Sequence, residues 1–231
     1  MKKDKKNGDR TNLNAEVIIG IDRDDSPAAF DPTAELFFAQ SHRPAELNDV
    51  DFADLSPLLR ALLVTDGTVT KLLEAYALEP MVVQRLGQYT KCLDAADDRL
   101  GLEAGEEILV RSVMLVGAES QRLFVFAESL IVPGNLPLPI REGLHSETGG
   151  LGKILLDSGL ETRREGLWYG KGRPAEIPAP VADLCAGDFI TRSYRIIAGG
   201  VPLMLITERF PEQLGDAITE GLAGTAQWPG A

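Results

Sequence analysis

Two arginine–glutamate pairs occur at nearly the same spacing in two apolar stretches of the sequence. Arg111 precedes Glu128 by 17 positions, and Arg192 precedes Glu208 by 16 positions. A guanidinium group binds a carboxylate through two parallel hydrogen bonds, which a lysine cannot do. A glutamate held among apolar residues is suited to exchanging a proton with a ligand. These residue types therefore indicate a site that binds an anion and moves a proton.

Each pair lies in a segment with the pattern of a β-hairpin. An Ala-Gly-acidic turn opens the segments at Ala104 and Ala186, and a proline closes them at Pro133 and Pro211. We interpret the repeat as an internally duplicated hairpin, with arginine on one strand and glutamate on the other. Strand side chains alternate between faces, which sets all four charges among apolar residues. Such charges are costly unless paired or used, so two interpretations stay open: ion pairs inside a sheet, or an anion site on its face.

The helices that position these strands have clear sequence signals. Ser56-Pro57 is a typical helix start, and the leucines after it recur at helical spacing. Thr68 caps a second predicted helix from Val69 to Leu78, and the glycines at 149–152 open another. We also expect a strand at 16–21, a helix within 32–43 and a closing helix at 212–222.

Length and composition favour one domain with a tail. The chain has 231 residues, of which 44% are apolar, and a net charge of −12. We assign 1–14 to a disordered tail, 15–50 to an N-terminal extension and 51–231 to the main domain. The acidic balance and the lack of a basic, aromatic-rich stretch argue against nucleic acid as a partner.

The sequence also favours a cytoplasmic protein that does not contact membranes. It has neither a signal-peptide pattern nor 18 consecutive apolar residues. The two cysteines, Cys92 and Cys185, form neither a disulfide framework nor a metal-binding motif. The two histidines, His42 and His145, lie far in sequence from the hairpins, which disfavours a histidine metal site or catalytic triad.

Four short segments, in order, resemble chorismate pyruvate-lyases, the enzymes that form 4-hydroxybenzoate, and most closely their divergent actinobacterial and cyanobacterial branch. They are 62–74 (LLVTDGTVTKLLE), 109–113 (LVRSV), 151–153 (LGK) and 202–208 (PLMLITE). The resemblance extends from about Leu58 to Pro211. It implies an α+β fold, in which helices flank an antiparallel β-sheet of about six strands. It also implies a buried ligand, no cofactor and no metal.

The resemblance assigns roles to particular residues. The matched Arg111 binds a substrate carboxylate, and the matched Glu208 sits at the ring-hydroxyl end, so both are candidate catalytic residues. The matched Leu151 backbone and Val69 complete the pocket. We add their neighbours at the two predicted helix starts, Thr70 and Gly152, to the substrate-binding set. Better-known bacterial members carry methionine at the position of Val69, and the shorter side chain is expected to widen the pocket.

Two further sets of charged residues are candidates for supporting roles. We expect the mates in the repeat, Glu128 and Arg192, to pair with Glu208 and Arg111 and hold them in place. Arg163 is the candidate to bind the second carboxylate of the substrate.

The resemblance implies a metal-independent carbon–oxygen lyase that eliminates pyruvate from chorismate to give 4-hydroxybenzoate. Two alternatives stay open. One is a noncatalytic module of the same fold that binds small aromatic acids. The other is a lyase acting on aminodeoxychorismate to give 4-aminobenzoate. The expected partner is chorismate or a close analogue, and the oligomeric state is not indicated.

Overall fold

The structure of the chain is a computed structural model that describes residues 30–144 and 150–215. Within these residues the strands are β1 (Met81–Cys92), β2 (Glu107–Gly117), β3 (Leu123–Ile131), β4 (Arg163–Gly172), β5 (Phe189–Ala198) and β6 (Val201–Pro211). The α-helices are α1 (Pro57–Val64), α2 (Val69–Ala77), α3 (Leu138–Gly143), α4 (Leu151–Ser158) and α5 (Ala179–Leu184). Short 3-10 helices occur at Gln40–His42, Phe52–Asp54 and Pro133–Asn135.

The strands form one antiparallel sheet in the order β1-β2-β3-β6-β5-β4. The predicted α+β fold with about six antiparallel strands is confirmed. Hairpins β2–β3 and β5–β6 meet at the centre of the sheet, where β3 pairs with β6. The internal duplication that we inferred for them stays a prediction.

The one-residue difference in spacing makes the two hairpins unequal. In β5–β6, Arg192 lies directly opposite Glu208. In β2–β3, Arg111 lies opposite Ser129 and is out of register with Glu128 by one position. Because side chains alternate, Arg111 and Glu128 leave the sheet on opposite faces. The loop therefore does not absorb the extra residue, and only one hairpin carries its arginine and glutamate on the same face.

The sheet is covered on both faces. Helices α1 and α2 pack on the face that bears Glu208, against residues such as Leu115, Val125 and Ile190. Helices α3 and α4 pack on the same face through a separate cluster that includes Ile196 and Ile206. Helix α5 and the segment around Leu100 cover the opposite face. The first face therefore has a gap between its two apolar clusters.

Three predicted helices form where the sequence places them, although the N-cap residue of α2, Thr68, makes no side-chain capping hydrogen bond. The Ser56 hydroxyl accepts a hydrogen bond from the Leu59 N–H at 3.3 Å, which caps α1. Helix α2 runs to Ala77, one residue short of its predicted end, because Leu78 takes a left-handed conformation. Helix α4 begins at Leu151, directly after its N-cap residue Gly150, and contains Gly152 in its first turn.

The predicted helix at 32–43 is wrong. This segment forms turns and the 3-10 helix Gln40–His42, and it lies along the edge strand β4. Isolated bridges join Phe37 to Gly166 and Asn48 to Lys171. The Gln40 side chain accepts from the Tyr169 N–H at 2.9 Å and donates to the Tyr169 carbonyl at 2.8 Å. Covering an exposed strand edge thus outweighs the local helical pattern.

Some predicted elements lie outside the described residues. These are the tail at 1–14, the strand at 16–21 and most of the closing helix at 212–222. The division into a tail, an extension and a main domain stays a prediction. No helix within 30–144 and 150–215 is long and apolar enough to cross a membrane.

The close packing of the 31–50 segment on β4 depends on Gly166. A methyl group at this position would collide with the Leu36 carbonyl oxygen and lie 3.0 Å from Phe37 Cδ1. We therefore expect Gly166→Ala to lower the free energy of unfolding by about 1–3 kcal/mol in denaturant titration. The control is Gly134→Ala, where a methyl group meets nothing within 4 Å. Equal stability of the two variants would show that the segment does not need this close approach.

Candidate active site

A cavity of about 80 Å³ fills the gap between the helices and the sheet. Its walls come from the first turns of α2 and α4 and from side chains of all six strands. All six residues predicted to bind or transform the substrate line it: Val69, Thr70, Arg111, Leu151, Gly152 and Glu208. The fold therefore brings together segments that are up to about 140 positions apart in the sequence.

The first turns of α2 and α4 approach each other closely over the cavity. A methyl group on Gly152 would lie 3.2 Å from Cγ2 of Thr68, the N-cap residue of α2. The first turn of a helix has backbone N–H groups without partners inside that helix, and it carries a partial positive charge. Both helix ends therefore favour a negatively charged group nearby.

Arg111 supplies a full positive charge to the same cavity. It is 3% exposed, and its Nη1 donates to Gln88 Oε1 at 3.0 Å and to the Leu144 carbonyl at 3.4 Å. Burial lowers the pKa of Arg111, and the nearby charge of Arg85 lowers it further. A guanidinium group keeps its proton in a protein even so. A bound carboxylate would offset both the lost hydration and the repulsion from Arg85.

Glu208 is held from two sides. Arg192 Nε donates to its Oε2 at 2.8 Å, and the Tyr194 hydroxyl donates to its Oε1 at 3.2 Å. Arg192 also donates through Nη1 to the carbonyl oxygens of Leu63 and Thr65, at 3.2 and 2.9 Å. The carboxylate is thereby fixed relative to both the sheet and the end of α1.

The pKa values of the two donors follow from this contact. Burial opposes the charge on Arg192, but the Glu208 carboxylate together with Tyr194 and Asp66 outweighs it, so the pKa of Arg192 is raised. Burial and the negative charge of Glu208 raise the pKa of Tyr194 far above its usual value. The Tyr194 hydroxyl therefore keeps its proton and remains a hydrogen-bond donor to the carboxylate.

Arg111 and Glu208 stand at separate sides of the cavity. Arg111 pairs with Ser129 on β3, whereas Glu208 on β6 pairs with Ala127. Two strand spacings of about 4.8 Å and an offset of two residues at about 3.4 Å each separate their Cα atoms by roughly 12 Å. Apolar lining residues, among them Val113 and Ala127, face the space between them. This arrangement suits a flat, mainly apolar ligand with polar groups at both ends.

Glu128 does not belong to this site. It lies on the opposite face of the sheet, where its Oε2 pairs with Arg209 Nη1 at 2.5 Å, and its side chain is 43% exposed. The expected pairing of Glu128 with the cavity residues is therefore wrong, because the odd spacing from Arg111 places it on the other face. Arg192 does pair with Glu208.

Two residues on the cavity wall, Tyr194 and Arg164, were missed as site residues in the sequence. The sequence did contain a signal for Tyr194, because this residue follows Arg192 by two positions and its side chain therefore lies on the same face of β5. Arg164 lies opposite Ile196 on the cavity face, whereas Arg163 has a 67% exposed side chain paired with Glu165. An irregularity between Gly166 and Trp168 shifts the alternation in β4, so the sequence alone does not show which arginine faces the cavity.

The described residues can also be considered as ligands for a metal ion. Within residues 30–144 and 150–215, no three His, Cys, Asp or Glu side chains are grouped so that they could hold a metal ion. His145 lies outside these ranges.

Comparison with known proteins gives consistent matches. The family model described as chorismate pyruvate-lyase Rv2949c-like matches residues 63–217. A chorismate pyruvate-lyase of Mycobacterium leprae (strain TN) is 38% identical over 160 residues, 66% of this chain and 73% of that protein. A chorismate pyruvate-lyase of Mycobacterium tuberculosis (strain CDC 1551 / Oshkosh) is 31% identical over 169 residues, 71% of this chain and 84% of that protein.

Among solved structures, the fold is similar to that of PhnF from Mycobacterium smegmatis. The TM-score is 0.50 at 13% sequence identity, over 64% of this chain and 65% of that chain. At this identity the likeness concerns the fold alone.

The two ion pairs on opposite faces of the sheet should differ in their contribution to stability. Arg192→Met leaves Glu208 buried without its cation, and breaking such a buried pair costs about 3–5 kcal/mol. Arg209→Met removes the partner of the half-exposed Glu128, which costs about 1 kcal/mol or less. Denaturant unfolding of both variants measures this difference. Similar losses in the two variants would contradict the central role of the Glu208–Arg192 pair.

Proposed function

The chain belongs to the Rv2949c-like family of chorismate pyruvate-lyases, and from that premise we propose that its cavity eliminates pyruvate from chorismate to give 4-hydroxybenzoate. The observation that supports this most is the cavity shared by Arg111 and Glu208, with an apolar space between them. The ligand it suits is a flat ring with a carboxylate at one end and a hydroxyl at the other.

The reaction needs few chemical groups from the protein. Chorismate is a cyclohexadiene with a carboxylate on C1, an enolpyruvyl ether on C3 and a hydroxyl on C4. Cleavage of the C3–O bond and loss of the C4 hydrogen as a proton make the ring aromatic. The released enolpyruvate takes up a proton on its methylene carbon and becomes pyruvate. The enzyme has to orient a dianion, exclude water and handle a proton, as a carbon–oxygen lyase.

Arg111 is proposed to bind the ring carboxylate. Its guanidinium is buried, lies beside the cationic Arg85, and lines the cavity. A guanidinium in this position can donate two parallel hydrogen bonds to a carboxylate. The helix ends at Val69 and Leu151 add partial positive charge to the same cavity.

Glu208 is proposed to accept the proton from C4. When the ring carboxylate is at Arg111, the para position of the ring points toward the side of the cavity that Glu208 lines. Arg192 and Tyr194 hold the Glu208 carboxylate in one orientation, so little reorganisation is needed when the proton moves. Arg192 acts here as a positioning residue.

Val69, Thr70, Leu151 and Gly152 are proposed to form the walls around the ring. A cavity of about 80 Å³ is smaller than the roughly 150 Å³ that accommodates benzene. Ring binding therefore widens the cavity. A close fit excludes water and strengthens each electrostatic contact inside.

We also propose that the reaction takes place in the cytoplasm. Cys92 and Cys185 are both free thiols, as expected for a reducing compartment. Cys185 is buried, and its burial fits a thiol that packs as an apolar group.

The direct test is incubation of the purified chain with chorismate, followed by chromatography. We expect 4-hydroxybenzoate and pyruvate in equal amounts, and faster turnover than with aminodeoxychorismate. Formation of 4-aminobenzoate alone would move the assignment to the amino substrate. Binding of 4-hydroxybenzoate without turnover of either substrate would contradict the lyase and favour a binding module.

Glu208→Gln and Glu128→Gln form a matched pair for the proton-transfer step. Both remove one carboxylate from neighbouring central strands, but only Glu208 lines the cavity. We expect Glu208→Gln to lower kcat by about 10²- to 10⁴-fold and to bind 4-hydroxybenzoate with little change. Glu128→Gln should keep kcat within about twofold. Thermal melts establish that both variants are folded at the assay temperature, and full activity of Glu208→Gln would remove it from the mechanism.

A further inference from the structure

A second cavity, of about 510 Å³, adjoins the candidate active site. The two cavities share Arg164 and Tyr194 as lining residues. The other walls of the second cavity come from residues 35–38, the end of α1, β4 and β5, and include Arg192. Arg164 and Tyr194 therefore stand at the boundary between the small cavity and a larger one.

Two guanidinium groups at this boundary carry nitrogen atoms that are buried without an acceptor. Arg164 Nε and Arg192 Nη2 are two of the four buried side-chain nitrogen or oxygen atoms that lack a hydrogen-bond partner in residues 30–144 and 150–215. Both arginines line the second cavity. Buried donors of charged groups are nearly always satisfied in folded proteins, so an acceptor is expected here.

The hydrogen bonds and ion pairs described for these two arginines use neither Arg164 Nε nor Arg192 Nη2. Arg164 Nη1 pairs with Asp66 Oδ1 at 3.2 Å, and the Asp66 side chain is 73% exposed, so water weakens this pair. Arg192 uses Nε for Glu208 and Nη1 for backbone carbonyls, and its side chain is 4% exposed. A carboxylate between the two groups would accept from both.

The shape of chorismate brings its second carboxylate to this place. The ether carbon C3 is adjacent to C4, so the enolpyruvyl arm leaves the ring at the end where Glu208 stands. The small cavity must already widen to hold the ring, whereas the larger adjoining cavity, which shares Arg164 with it, offers space for the arm. The charge of Arg164 also acts on the Tyr194 hydroxyl, which donates to Glu208, so these groups are close.

We propose that Arg164 binds the enolpyruvyl carboxylate of chorismate, with Arg192 Nη2 as a second donor, and that the adjoining cavity receives the pyruvate. This inference rests on the proposed lyase function. As the C3–O bond breaks, its electron pair stays on the oxygen of the departing enolpyruvate. Arg164 then stabilises a charge that grows during the reaction, which accelerates the chemical step as well as binding.

The test compares two unreactive ligands by isothermal titration calorimetry. The probes are 4-hydroxybenzoate, which has one carboxylate, and 3-(carboxymethoxy)-4-hydroxybenzoate, which carries a second on an ether at the position of the arm. We expect Arg164→Met to weaken the dicarboxylate by about 10- to 100-fold and to change 4-hydroxybenzoate by less than about threefold. Arg111→Met should weaken both ligands, and Arg164→Lys should recover part of the lost affinity.

Arg209→Met is the matched control. It removes one positive charge from a side chain that is 15% exposed, against 20% for Arg164, but on the opposite face of the sheet. We expect it to leave both affinities unchanged within about twofold. Equal weakening of both probes in Arg164→Met, or no weakening of the dicarboxylate, would overturn the proposal.

Measurements of kcat/KM with chorismate distinguish a wrong role for Arg164 from a wrong lyase assignment. If the unaltered chain converts chorismate, kcat/KM of Arg164→Met should fall by at least about 10-fold, while Arg209→Met stays near the original value. Unchanged kcat/KM in Arg164→Met would reject only the role of Arg164. Absence of turnover in the unaltered chain would reject the lyase, and the calorimetry would still decide whether Arg164 binds a second carboxylate.

Discussion

The buried ion pair between Glu208 and Arg192 is the interaction on which the arrangement of the site depends. Arg192 reaches from β5 to the carboxylate on β6 and to the backbone carbonyls of Leu63 and Thr65 at the end of α1. Neither charge could remain buried without the other, because the loss of hydration is large. The pair thus fixes the Glu208 carboxylate, the end of α1 and, through the short 65–68 connection, the start of α2.

The same residue types serve another purpose on the opposite face of the sheet. Glu128 and Arg209 also form an ion pair, but at a half-exposed position beside Phe126. Two arginine–glutamate repeats that look equivalent in the sequence therefore differ in the structure. Arg192 and Glu208 form a buried pair at the cavity, whereas Arg111 lines the cavity and Glu128 pairs with Arg209 on the other face. The difference follows from one residue of spacing, because a sheet converts odd and even separations into opposite faces.

Much of the fold and most of the site could be predicted from the sequence, for physical reasons that are local. A capping serine and leucine spacing define α1, and apolar spacing defines α2. The resemblance identified Val69, Arg111, Leu151 and Glu208, and the predicted helix starts added Thr70 and Gly152; all six line one cavity. The failures have non-local causes. Residues 32–43 follow the edge of β4 instead of their helical pattern, and Arg164 was missed because an irregularity in β4 shifts the alternation. Neither strand partners nor bulges can be read from the strand's own sequence.

The net charge of −12 would be expected to repel a dianionic ligand. The structure explains how such an acidic chain can nevertheless hold one. Exposed charges are screened by salt over about 8–10 Å, so the overall negative field acts weakly on a ligand inside the protein. Arg111 and Arg192 are each 3% exposed, and in such surroundings a single nearby cation outweighs many distant screened anions. In the proposed lyase, a few buried guanidinium groups therefore govern binding. The acidic surface contributes neither affinity nor attraction of the ligand from a distance, so selectivity depends on the number and spacing of carboxylates that reach these groups.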